Sequence, residues 1–222
     1  MVAVAETHLR GGGCLRRGKY ELVYKGRSKQ LLIKGGGVGI IVPNEAGFEM
    51  EKINVRESEM SEDIFAVKIE YAITMNEITQ MAMFVCYMPV EGVQSERENG
   101  ERYACINKVL DECNHEMIVV MGDMNGHVGI LGESGNKNGE LLNEFVSENE
   151  LENLNVSIAK GKVTWSNKEN CLAIEYILVK KNARRKVMCM WVDEAGMFDI
   201  RSDYNMLVTE LKMRHMYTCE RA

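Results

Sequence analysis

The chain has 222 residues, 45% hydrophobic and 27% charged, enough for one α/β domain with a sizeable core. Its net charge is −6, against the basic balance of most nucleic-acid binders, whose phosphate contacts come from Lys and Arg. No apolar run nears the ~20 residues that cross a bilayer, and seven scattered cysteines without CxxC spacing exclude an obvious disulfide framework or zinc site.

In chain order, residues 1–5 are apolar and run straight into Glu6-Thr7-His8. Glycines 11–13 and 35–37 read as turns, since neither triplet carries the Lys-Ser/Thr of a phosphate loop. Strands are expected at 20–25, at 37–42 and, with clear alternation, at 63–71 (DIFAVKIEY). The run at 81–87 (MAMFVCY) is continuously apolar, as a strand covered on both faces should be. Tyr103, Ile106, Val109, Leu110 and Cys113 recur at three- and four-residue steps, which predicts a helix over 101–113. Cys113 and His115 read as a buried thiol beside a surface imidazole. A strand at 117–121 follows, then a helix over 139–151 with Leu141, Leu142, Phe145 and Val146 as its stripe. Further strands are expected at 163–166, 173–179, 188–192 and 206–211. The basic run 180–186 is a solvated turn between two of them. The expected class is α/β: two β-sheets packed face to face with helices outside, in one domain over 1–213 with a polar tail at 214–222.

Several strand ends carry polar groups. In GDMNGHVG, Gly122 lets the chain turn, and Asp123 and Asn125 stand two residues apart, able to point into one cleft. A carboxylate and a carboxamide so placed suit a hard divalent cation or a phosphate. The competing reading is an Asx-rich turn without chemistry. Tyr87 ends the 81–87 run, and Ser202, Asp203 and Tyr204 precede the last strand. Convergence of these margins on one edge of the sandwich is expected. His127 reads as a loop residue bridging a nearby strand, and His8 as structural or solvent-exposed.

AETHL, GGGVGIIV, CYMPV, GDMNGHVG, VTW, AIEYILV and RSDYNMLV follow one another as in the endonuclease/exonuclease/phosphatase superfamily. Over about residues 1–211 the chain most resembles the endonuclease domains of non-LTR retrotransposons and the related craniofacial development protein 2-like proteins. The resemblance implies a four-layer α/β/β/α fold and a metal-dependent phosphodiesterase acting on DNA, intracellular (nucleus or cytoplasm), with Mg²⁺ (or Mn²⁺) and no organic cofactor. It implies metal ligation by Glu6 and Asp203, water orientation by Asp123, and phosphate contacts from Asn125, Tyr87 and Thr164, with Trp165 beside the site. A monomer without membrane attachment is the default expectation.

Three departures accompany the match. The family's S-D-H reads Ser202-Asp203-Tyr204, and a phenol is ionised to only about 0.1% at neutral pH where an imidazole shuttles protons. Glu175 stands where the family has aspartate. The chain opens at what would be the family's second strand. A degenerate, retrotransposon-derived member with impaired or absent catalysis is therefore expected. The alternatives are an active Mg²⁺-dependent endonuclease and a non-catalytic interaction protein on the same scaffold.

Overall fold

Continuous apolar runs in this chain become strands buried on both faces. A computed structural model describes residues 1–28, 36–45, 47–53, 61–74, 77–92, 95–113, 115–198 and 201–212, so the expected tail at 214–222 lies outside them. In chain order the strands are β1 (Val2–Ala5), β2 (Gly12–Arg17), β3 (Tyr20–Lys25), β4 (Val38–Pro43), β5 (Glu49–Lys52), β6 (Ile64–Thr74) and β7 (Glu77–Tyr87). Helix α1 (Ser95–Glu112), β8 (Met117–Asp123), α2 (Lys137–Glu148), β9 (Leu151–Asn153) and the single-turn α3 (Leu154–Ser157) come next. Then follow β10 (Trp165–Ser166), β11 (Cys171–Leu172), β12 (Glu175–Lys180), a 3₁₀ turn at Lys181–Lys186, β13 (Val187–Val192) and β14 (Leu207–Leu211).

One sheet has the order β5-β6-β7-β8-β12-β9, mixed in sense: β7 and β8 run parallel and the other pairs antiparallel. The other has the order β1-β4-β3-β2, and β13 and β14 form a separate ribbon. Alternation along the central strands assigns their side chains to two cores. Met81, Met83 and Val85 of β7, Met117 and Val119 of β8, and Ile177 and Val179 of β12 meet Val38, Ile40 and Val42 of β4 between the sheets. Ala82, Phe84 and Cys86, with Ile118, Val120, Tyr176 and Leu178, face the opposite way, against Tyr103, Ile106 and Val109 of α1 and Leu142 and Phe145 of α2. The class is α/β, as expected. Of the four layers, the two sheets and one helical layer appear among the described residues, where no helix covers the outer face of the four-stranded sheet.

The departures from expectation fall at edges. β2 (GGCLRR) and β5 (EMEK) are edge strands with mostly exposed side chains, so they lack an apolar alternation to read. Glycines 12 and 13 therefore open a strand, and only Gly11, with φ +70°, makes the turn expected of that triplet. Gly36 and Gly37 take the left-handed φ values of +72° and +84° that a glycine turn uses, and Gly35 of that triplet lies outside the described residues. Helix α1 begins six residues before the expected start because its first turns, SERENGE, are polar. The second helix stops at Glu148, not at Leu151: Glu150 takes φ +51°, and Leu151 enters β9. The basic run is a 3₁₀ turn between β12 and β13 whose cations pair outward, Arg184 with Glu152 and Lys186 with Glu116.

Candidate active site

The site forms where β7, β8 and β12 end side by side. Register pairs Tyr87 with Asp123 across β7 and β8, and Glu175 with Asp123 across β12 and β8. One row of three strands thus presents a phenol and two carboxylates. Gly122, one residue earlier, sits at φ +139°, and a Cβ there would collide with the Cys86 backbone. Only glycine lets β8 run this close to β7 and still deliver Asp123.

Asp123 is 2% exposed and accepts the Asn125 backbone N–H at 3.0 Å, an Asx turn that holds Asn125 at φ +45°. Asn125 gives an amide N–H to the Met88 carbonyl at 2.8 Å, which fixes the carboxamide beside Asp123. From the facing sheet, the turn after β1 brings in Glu6 at φ +51°, and hydrogen bonds from Thr7 N to Gly37 O and His8 N to Gly36 O pin that turn. From the segment before β14, the Tyr204 hydroxyl reaches Glu6 Oε2 at 3.3 Å and Asp123 Oδ2 at 3.4 Å. Its single proton can satisfy one of the two carboxylates at a time.

The electrostatics follow from this crowding. Burial, then the Glu6 charge, outweighs the Asn125 N–H and pushes the Asp123 carboxyl up to about 7. Glu175 is pushed up to about 9 by burial and by Asp123. Both its carboxylate oxygens are sealed from solvent with no hydrogen-bond partner. Burial also raises the Tyr87 and Tyr204 phenols, reinforced by the charges of Glu6 and Asp123. Every acid in the row is thus shifted toward its neutral form.

Glu6, Tyr87, Asp123, Asn125, Glu175 and Tyr204 are therefore brought together. Asp203 lies at the rim, solvent-exposed, its Oδ2 accepting the Trp165 indole N–H at 2.8 Å. Thr164 is sealed, and its hydroxyl oxygen accepts the Ile174 and Glu175 N–H groups, so it anchors the start of β12 and does not face the cleft as expected of a phosphate contact. Between His127 and the first turn of α2 the link is made by backbone: His127 N donates to Asn136 Oδ1 and its carbonyl accepts Asn136 N–H.

The donor set fits a hard divalent cation in kind, since it is made of carboxylate oxygens and two of these are buried without a partner. In spacing it is not closed: among the described residues no three acidic, histidine or cysteine side chains converge closely enough to hold a metal ion. A second ionic cluster flanks the row and has no sequence signal. Asp63, 2% exposed, accepts from two of the three guanidinium nitrogens of Arg27 (Nε 3.2 and Nη2 2.9 Å), from one of Arg102 (3.0 Å) and from the Gly37 N–H (3.1 Å). Burial opposes its ionisation, but these donors hold the Asp63 carboxyl below its ordinary value.

Residues 81–206, more than half of the chain, match the family model described as endonuclease-reverse transcriptase. The fold resembles the endonuclease domain of TRAS1, a telomere-specific non-LTR retrotransposon, at 12% identity, covering 89% of this chain and 82% of that one with a TM-score of 0.64. It also resembles an AP endonuclease from Archaeoglobus fulgidus (13% identity, 87% and 79% covered, TM-score 0.64) and a 3'-5' exonuclease from Neisseria meningitidis (14% identity, 87% and 80% covered, TM-score 0.60). No curated protein sequence matches the chain.

Proposed function

The chain belongs to the endonuclease-reverse transcriptase family, and from that premise we propose that it is a phosphodiester-binding member with a DNA partner whose catalysis is impaired or lost. The observation that carries this is the pair Tyr204 and Glu175. A phenol stands between Glu6 and Asp123, and the carboxyl that would orient a proton carrier, Glu175, is sealed from solvent with its oxygens unpartnered.

A divalent cation, Mg²⁺ or Mn²⁺, would be held by Glu6 and Asp203. Bound there, it would neutralise charge developing on a phosphoryl group. The chain's own residues supply the rest. Tyr87 and Asn125 orient a phosphate at the pocket wall, Asp123 is placed beside it to hold a water molecule, and Thr164 fixes the backbone of Glu175. A group must then take and return a proton near neutral pH, which an imidazole does and a phenol with a raised pKa does not. Losing such help costs about 10²–10⁴ in rate.

One observation favours the active alternative: a carboxyl at about 7, as Asp123 has, lies where a general base works best. Nicking of supercoiled plasmid with Mg²⁺, by the wild type and by Asp123→Ala, separates the two. No nicking beyond the Asp123→Ala background is expected. Robust cleavage abolished by Asp123→Ala would establish the active enzyme.

A further inference from the structure

The carboxylate row is flanked by one arginine whose role is not exhausted by its ion pair. Arg27 follows β3, and its Nε and Nη2 grip Asp63 side-on. Its side chain is 14% exposed. Among the described residues Nη1 makes no hydrogen bond, and it is not wholly sealed from solvent. Arg102 clasps the same carboxylate from α1, but its second contact is Glu98 at 3.5 Å and its Nε is sealed. The two guanidiniums share one anchor and differ in what remains free.

The anchor ties Arg27 to the site. The Asp63 carbonyl accepts the Tyr87 N–H at 2.9 Å, and its carboxylate accepts the N–H of Gly37, whose carbonyl in turn holds Thr7 beside Glu6. A Cβ at Gly36 would meet both the Arg27 guanidinium and Asp63, so the turn packs directly on the pair. The Arg27 charge reaches Tyr87, opposing the rise of its phenol. Elsewhere the site presents the carboxyl groups of Glu6, Asp123 and Glu175, which offer an incoming polyanion no positive charge. A planar guanidinium held rigid on one side, with N–H groups open on the other, suits a phosphate oxygen.

We propose that Arg27 is an anion-binding residue that takes a backbone phosphate of a polynucleotide strand at the Tyr87 side of the carboxylate row. This rests on the phosphodiester-binding function above. Arg102 is the internal control, because its loss also costs Asp63 a partner while its own Nη1 is already directed at Glu98.

The test measures affinity for a short fluorescein-labelled DNA duplex across a salt series in calcium buffer, with inorganic tripolyphosphate as a second probe. Arg27→Met is expected to weaken duplex binding about tenfold and to lower the log–log salt slope by about 0.9. Arg102→Met should leave both unchanged, although melting shows both variants destabilised. If the Met variants do not fold, Arg27→Lys should retain the slope and lose about threefold in affinity, with Arg102→Lys unchanged. Equal losses at the two arginines, or none at either, would overturn the role of Arg27. A wild type that binds tripolyphosphate through Arg27 but no duplex would sink the nucleic-acid function and leave the anion site standing. A wild type that binds neither removes both.

Discussion

Glu175 and Asp123 meet one another across two paired strands, and burial, with the Asp123 charge at Glu175 and the Glu6 charge at Asp123, makes ionisation of either costly. Both have folded pKa values above those of the unfolded chain, so the unfolded chain loses its protons first as pH rises. Their contribution to stability is full below the ordinary carboxylate range. It is lost as pH climbs, by about 7 for Asp123 and about 9 for Glu175. Glu175→Gln keeps the shape and removes the ionisation. Its melting temperature should equal that of the wild type near pH 4 and exceed it near pH 9, by about 2–4 °C for each kcal/mol recovered. An equal shift at both pH values would mean that the carboxyl is not held neutral by burial. At this scale the sequence was informative where a polar residue ends an apolar run. Glu6, Tyr87, Asp123 and Tyr204 were legible for that reason. Arg27, Asp63 and Arg102 were not, because the cluster joins segments 36 and 39 residues apart with no shared motif.

Helix α2 shows how close approach overrides propensity. Asn136 caps its N-terminus, the carboxamide oxygen accepting Gly139 N–H at 2.8 Å and His127 N–H at 2.8 Å, so the cap also secures the loop after β8. Gly139 lies in the first turn, and a Cβ there would strike the His127 carbonyl. On an exposed helix, Gly→Ala is worth about 1 kcal/mol in favour of the alanine. Here the sign should reverse: Gly139→Ala is expected to lower the melting temperature and to disturb the backbone amides of residues 125–127 in an NMR spectrum. Stabilisation without such a change would show that the loop is not pressed on the helix. The same contrast explains which elements were readable. Strands β7, β8 and β12 declare themselves by what they bury. β2 and β5 bury little, and β9 is three residues long after a polar turn, so their identity comes from their partners and not from their own composition.

Across the molecule, the six-stranded sheet is shared by two cores. Ile40 belongs to the one between the sheets and Leu142 to the one under the helices, and both are fully buried. Because β7, β8 and β12 contribute side chains to both, neither core can melt alone. Ile40→Ala and Leu142→Ala should each cost about 2–5 kcal/mol, and each should move one common urea transition seen by both Trp fluorescence and circular dichroism. Separate transitions in either variant would show the layers to be independent. The site draws on the same arrangement: Glu6 comes from the four-stranded sheet, Asp123 and Glu175 from the six-stranded one, and Tyr204 from the segment leading into β14. Local patterning located each piece, but their convergence is a property of the two sheets packing together.

The central claim is that this site keeps its acids and lacks the imidazole that Tyr204 replaces, and Tyr204→His tests it most directly. In the plasmid-nicking assay with Mg²⁺, Tyr204→His is expected to gain cleavage about 10²-fold or more above the wild type, and the gain should vanish when Asp123→Ala is added. A wild type already cleaving in an Asp123-dependent manner, with Tyr204→His no faster, would contradict the account.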